Sequence, residues 1–104
     1  MALEITEQNY AELTAQGKPM VIDFSAAWCG PCRKMAPIID AMAEQFEGQA
    51  IVGTCDVDDN EDLASQFGVR NIPVVFFVKD GQVVDKLVGA VPASQVEEKI
   101  KALL

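Results

Sequence analysis

Met20-Val21-Ile22-Asp23-Phe24 leads through Ser25-Ala26-Ala27 into Trp28-Cys29-Gly30-Pro31-Cys32, and the rest of the chain is arranged about that junction. The first run is almost continuously apolar, as a central strand covered on both faces would be. After the cysteines the pattern turns helical. Cys32, Met35, Ile39, Met42 and Phe46 recur three or four residues apart, with Ile38 beside them, while Arg33, Lys34, Glu44 and Gln45 fall elsewhere. Cys29 is therefore expected at a helix N-terminus, where unpaired N–H groups and the peptide dipoles favour an anion such as a thiolate. Cys29 is the predicted nucleophile, and Cys32, one turn on and facing inward, the predicted resolving thiol. Gly30 is expected to let another backbone approach closely, and Pro31 suits the first turn because its missing N–H has no intrahelical partner there.

Composition narrows the chemistry. A chain of 104 residues, half of them apolar, can build one compact domain, residues 1–104, but has no room for a separate cofactor domain. Sixteen acidic and eight basic side chains give a formal charge of −8, which argues against nucleic-acid and anionic-membrane partners. With no histidine, Cys-His and Ser-His catalysis and His-liganded metals are excluded. The N-terminal residues lack the pattern of a secretory signal, and no stretch reaches membrane-spanning length, so a cytoplasmic location is expected. In that compartment the close cysteine pair should cycle rather than persist as a structural bridge.

Along the chain, Leu3-Glu4-Ile5 alternates as a short strand, and Thr6 is placed to cap a helix carrying Glu7 in its first turn and ending at Gly17. Asp23 is anomalous, since an ionised carboxylate in a central strand is costly to bury. A purely structural setting, in which Asp23 is hydrogen-bonded or reaches solvent at the strand end, and a functional role are equally compatible with that pattern. Pro37 should bend the following helix without breaking it, and Gly48 should stop it. Ile51 to Val57 is a further strand. The acidic run Asp58-Asp59-Asn60-Glu61-Asp62 lacks the ligand spacing of a calcium loop and reads as a solvated helix start. Leu63, Ala64 and Phe67 form a short apolar helix face closed by Gly68. Val74 to Val78 and Gln82 to Val88 flank Asp80-Gly81 as a hairpin, with Asp85 and Lys86 suited to an outer strand. Ser94-Gln95-Val96-Glu97 has the spacing of a capping box, opening a helix that buries Val96, Ile100, Leu103 and Leu104. Cys55, on a strand, reads as a small buried residue, with a regulatory thiol as the alternative. Trp28 could be a core residue, but its position just before the nucleophile, at a strand-to-helix junction, favours covering one side of the site.

Trp-Cys-Gly-Pro-Cys after a buried strand, with Ile72-Pro73 ahead of a later strand, resembles the thioredoxin family over essentially the whole chain. The resemblance implies a thioredoxin fold of class α/β, a mixed sheet of about five strands flanked by four helices. It implies a general protein-disulfide reductase that works through Cys29 and Cys32 by a mixed disulfide. A thioredoxin reductase carrying the flavin would recharge it, so no cofactor and no metal are expected on this chain, which is expected to be a monomer. The family places an Asp at position 23 beneath the pair as proton acceptor and donor, and desolvation should raise its pKa toward neutrality. It also implies a cis Ile72–Pro73 bond and a substrate groove formed by Trp28, Gly30, Pro31, Ile72, Pro73, Gly89 and Ala90. Taken alone, Gly89-Ala90 could equally be a strand-end turn.

Three positions depart from the familiar pattern. Ser25 stands where many members carry an aromatic residue, which should loosen packing behind the site. Thr54 stands where a lysine often neighbours the buried Asp, and without that cation the carboxylate should be harder to ionise. Val74 replaces the commoner Thr. Rival readings are a zinc site, short of ligands with one spare Cys and no His; a scaffold that leaves its thiols idle; and a disulfide oxidase or isomerase, which the Gly-Pro between the cysteines disfavours.

Overall fold

The computed structural model describes residues 1–104. In chain order the elements are β1 (Leu3–Glu4), α1 (Tyr10–Thr14), β2 (Met20–Ser25), α2 (Gly30–Gln45), β3 (Ile51–Asp56), α3 (Glu61–Phe67), β4 (Val74–Lys79), β5 (Gln82–Val88) and α4 (Ala93–Leu103). They form one five-stranded sheet in the order β1-β3-β2-β4-β5. The strands joined through helices, β1 with β3 and β3 with β2, run parallel; β4 runs antiparallel to β2 and to β5. The expected mixed sheet flanked by four helices is therefore the one observed.

Strand alternation divides the core. On one face Val21, Val52, Val75 and Phe77 pack against Met35, Ile39 and Met42 of α2 and Val96, Ile100 and Leu103 of α4. On the other, Ile22, Phe24 and Phe76 meet Leu63 and Ala64 of α3. There Phe67 stacks edge-on or tilted against Tyr10, Phe24 and Phe76 with ring centroids 5.2 to 5.8 Å apart. Asp23 alternates with Ile22 and Phe24 and so shares the α2 face with Val21. α2 runs unbroken through Pro37, and the apolar face read from the sequence is the buried one.

Gly53 is a point of close approach. A Cβ there would lie 2.5 Å from the carbonyl oxygen of Leu3 and 2.7 Å from the Ile5 side chain, so only glycine lets β1 lie against β3. In the β4–β5 hairpin both turn residues take positive φ, Asp80 at 53° and Gly81 at 77°, as a two-residue turn requires. Val78 pairs with Val83 and Phe77 with Asp85, leaving Val84 as a bulge.

Three helix details differ from expectation. α1 begins at Tyr10 rather than after Thr6, because Thr6 and Asn9 bond reciprocally, each side-chain oxygen accepting the other's backbone N–H, and hold residues 7–9 as a turn. Glu7 instead serves α3, its Oε2 accepting from the N–H groups of Asp62 at 2.7 Å and Leu63 at 3.2 Å. The capping box at Ser94 is not formed. α4 starts at Ala93 behind Pro92, two residues earlier than a Ser94 cap would start it, and the Glu97 carboxylate turns to Gln45 of α2 and to Lys101. Leu104 lies past the helix end and is half exposed instead of buried.

Candidate active site

Cys29 is the N-cap of α2, with extended backbone (φ −89°, ψ 112°), and Pro31 occupies the first turn. One turn on, Cys32 comes back beneath it: the two are joined as a disulfide with Cα atoms 5.3 Å apart. The backbone N–H of Cys32 donates to Cys29 Sγ at 3.3 Å. That donor and the helix start both favour negative charge on Cys29 when the bridge opens. In the bridged state the two residues are nearly equally covered, 5% and 4% exposed, so burial does not separate them; position at the helix end does.

Cys29 Sγ lies 4.0 Å from the carbonyl oxygen of Ile72, and Ile72 packs with Val57 against the cluster of Ala26, Cys29 and Cys32. The Ile72–Pro73 peptide bond is cis. The carbonyl of Pro73 accepts from Gly89 N–H at 2.8 Å, and Gly89 has φ +88°. Cys29, Ile72, Pro73 and Gly89 thus form a continuous series, with exposed Gly30, Pro31 and Ala90 at its margins. The expected crowding at Gly30 is absent: a Cβ there would meet nothing within 4 Å. The glycine faces open space, because no other segment of the chain comes within 4 Å of where its side chain would stand.

Trp28 is 68% exposed. Its indole N–H donates to Asp58 Oδ2 at 2.8 Å, which fixes the ring beside Cys29. Sequence reading treated Asp58 only as part of a helix start, and nothing local in the chain signals its pairing with Trp28. Asn60 was missed likewise. It is buried, accepting from Glu7 N–H and donating to the carbonyl of Asp56, and so ties the loop after β3 to the start of the chain.

Asp23 is 1% exposed, and its Oδ1 has no hydrogen-bond partner. It pairs in register with Thr54 of β3 and Val75 of β4. Burial pushes its pKa up to about 7, because a carboxylate without donors is poorly solvated there. Such a group can take or give a proton near neutral pH. Cys55 lies on the opposite face with Ile22 and Phe24, wholly buried. Burial, then the charges of Asp56, Glu7 and Glu4, push its pKa up to about 12. No three Cys, Asp or Glu side chains converge in a metal-holding group.

A disulfide between the N-cap and the first turn of a helix, preceded in the chain by an exposed tryptophan and by a strand that carries a buried acid, is the constellation of a thiol–disulfide oxidoreductase. Comparison with known proteins narrows this. The thioredoxin family profile matches residues 1–102. The chain is 43% identical over 98 residues to Thioredoxin 2 of Chlorobaculum tepidum, covering 93% of this chain and 90% of that one. It is 46% identical over 95 residues to the thioredoxin of Haemophilus influenzae, covering 90% and 89%. A mutant thioredoxin from Halobacterium salinarum superposes with a TM-score of 0.88 at 32% identity, over 98% of this chain and 89% of the other. The chain belongs to the thioredoxin family, and it is a dithiol protein-disulfide reductase acting through Cys29 and Cys32. No helix is long and apolar enough to cross a membrane.

Proposed function

We propose that Cys29 is the attacking thiol, Cys32 the resolving thiol and Asp23 the group that exchanges the proton of Cys32. The Cys29 thiolate attacks one sulfur of a substrate disulfide, forming Cys29–S–S–R and releasing the other sulfur as a thiolate. Asp23 takes the proton of Cys32, whose thiolate then attacks Cys29 Sγ. That closes the Cys29–Cys32 bridge and releases the second substrate thiol. The observation that carries this order is the bond from Cys32 N–H to Cys29 Sγ at the start of α2. It lowers the energy of a Cys29 thiolate and offers nothing comparable to Cys32.

The substrate segment lies along Trp28, Gly30, Pro31, Ile72, Pro73, Gly89 and Ala90. The continuity of Cys29, Ile72, Pro73 and Gly89 supports that path, and few charges line it, which favours broad specificity. The chain works as one domain, residues 1–104, as a monomer in the cytoplasm, and binds no cofactor. Two electrons reach it from the flavin of a thioredoxin reductase.

The test is turnover of insulin disulfides together with trapping. Cys32→Ser is expected to accumulate a mixed disulfide on Cys29 with a protein substrate, and Cys29→Ser to accumulate none. Trapping of protein substrates on Cys32 instead would reverse the assignment. The equilibrium of the wild-type couple with a glutathione buffer, followed by Trp28 fluorescence, is expected to lie on the reducing side of that pool.

A further inference from the structure

On the face of the sheet opposite α2, an open pocket of about 290 Å³ lies between the segment that follows α3 and the paired strands β4 and β5. Val74 and Phe76, buried with the α3 side chains, form its apolar floor. Gly68 closes α3 in the left-handed region with φ +69°, and the N–H of Val69 bonds back to the carbonyl of Ala64 at 3.0 Å. The chain then brings Arg70 and Asn71 to the pocket, and Lys86 and Val88 border it from β5.

The charge of this pocket runs against that of the chain. Acidic side chains outnumber basic ones sixteen to eight, yet two of the basic ones border the pocket and none of the acidic ones does. The ion pairs of the chain join Lys99 to Asp85 and Lys101 to Glu97, so Arg70 and Lys86 keep their charges. Asp85 adjoins Lys86 in sequence but does not neutralise it. In the β4–β5 ladder Lys86 stands opposite Phe76 and Asp85 opposite Phe77, which puts the two on different faces of the sheet. A guanidinium fork, an ammonium group and the Asn71 amide above an apolar floor complement a carboxylate on a short aliphatic stem. The volume suits a side chain and excludes a folded element.

The pocket meets the substrate path at two points. Asn71 and Val74 flank Ile72–Pro73, whose Ile72 carbonyl lies 4.0 Å from Cys29 Sγ, and Val88 immediately precedes Gly89. A side chain seated there therefore belongs to the same segment that presents its disulfide to Cys29. Resting on the reading of Cys29 as the attacking thiol and of that path, we propose that the Arg70–Lys86 pocket selects protein substrates that carry a glutamate or aspartate within a few residues of the disulfide. The path itself, nearly uncharged, admits many segments; the pocket ranks them by capturing the acidic ones faster. Arg70 and Lys86 are both exposed, so the preference is a modest one that salt screens.

The experiment follows Trp28 emission while the reduced protein reduces tryptophan-free, disulfide-bridged peptides. One glutamate stands at successive positions on either side of a cysteine, and each peptide is paired with its glutamine isostere. At the favoured position the glutamate peptide is expected to react about threefold or more faster than its isostere at low salt, and the ratio to fall toward one at about 0.5 M salt. Arg70→Gln and Lys86→Gln are each expected to lower the ratio, and Lys86→Glu to bring it below one. Lys79→Gln, at the far end of β4 and outside the pocket, removes the same charge and is expected to leave the ratio as in wild type. A wild-type ratio near one at every position overturns the proposal. So does an equal loss of preference in Lys79→Gln, which makes net charge the cause. The glutamine peptides test the exchange reading separately. If wild type leaves them oxidised, that reading falls; if wild type reduces them and Cys29→Ser does not, a ratio near one removes only the pocket.

Discussion

Asp23 and Thr54 stand opposite each other in the β2–β3 ladder, a carboxylate with one unpartnered oxygen beside a neutral hydroxyl. Burial is what raises the pKa of Asp23, moving it from an ordinary 3.8 to about 7.

The stability cost follows from the sign of that shift. The unfolded chain loses the Asp23 proton near pH 4 and the folded one near pH 7, so between those values folding takes up a proton and stability falls as pH rises. Below pH 4 the penalty is absent; above pH 7 it is constant at roughly 4 kcal/mol, at 1.36 kcal/mol per unit. Asp23→Asn is expected to be more stable than wild type at pH 8 by an amount that shrinks toward pH 4. Denaturant midpoints across that range measure it, and a difference independent of pH would remove the buried-acid account.

Thr54→Lys places a cation beside Asp23 on the same face. A neighbouring positive charge favours the carboxylate, so the folded pKa of Asp23 should drop below its present value. Titration of the Asp23 carboxyl carbon by NMR reads this directly, and an unshifted midpoint would show that the lysine ammonium does not reach it.

Gly53→Ala sets a methyl group against a backbone carbonyl that cannot rotate away. Overpacking of this kind costs about 1–3 kcal/mol, and the damage should centre on the β1–β3 pairing. A lowered urea midpoint with wild-type insulin turnover is the expected pair of results.

Trp28 is the only tryptophan, so its emission reports on the Asp58 bond without interference. Asp58→Ala frees the indole N–H, and the loss of one charge-assisted bond at an exposed site is expected to weaken substrate capture only a few-fold. Emission and its anisotropy should change in the same variant; an unchanged spectrum would mean the bond does not hold the ring in solution.

Cys55 should be inert. Iodoacetamide at pH 8 is expected to label Cys29 and Cys32 after reduction and to reach Cys55 only in denaturant, because a buried thiol with a pKa of about 12 has almost no thiolate. Labelling of the native protein at Cys55 would reopen a regulatory role.

What the chain reveals about itself depends on the range of the interaction. The Met20–Phe24 strand, the α2 stripe through Met42 and the Asp80-Gly81 turn are set by neighbours a few residues apart, and each was legible from periodicity or turn chemistry. Cys29 at a helix start is of the same kind. The indole bond to Asp58, the service of Glu7 to α3 and the bridging by Asn60 join residues far apart in the chain, and no local pattern announces them. Thr6 and Ser94 mark the limit of cap motifs: both had the spacing, but Thr6 closed a turn with Asn9, and Glu97 found Gln45 and Lys101 within reach. The crowding at Gly53 was invisible until β1 and β3 were known to be neighbours.

β2 is hydrogen-bonded on both sides, to β3 from Met20 to Ser25 and to β4 from Met20 to Phe24, while β1 and β5 form the edges. Fraying begins at the edges and leaves the middle of a sheet until last, so the amide protons of β2 should be among the slowest to exchange with solvent. Asp23 rides on that strand. Its dry surroundings, and the raised pKa they create, should then persist while the sheet edges fray and vanish only when the middle of the sheet opens, so the Asp23 pKa is expected to return to its ordinary value together with loss of the fold.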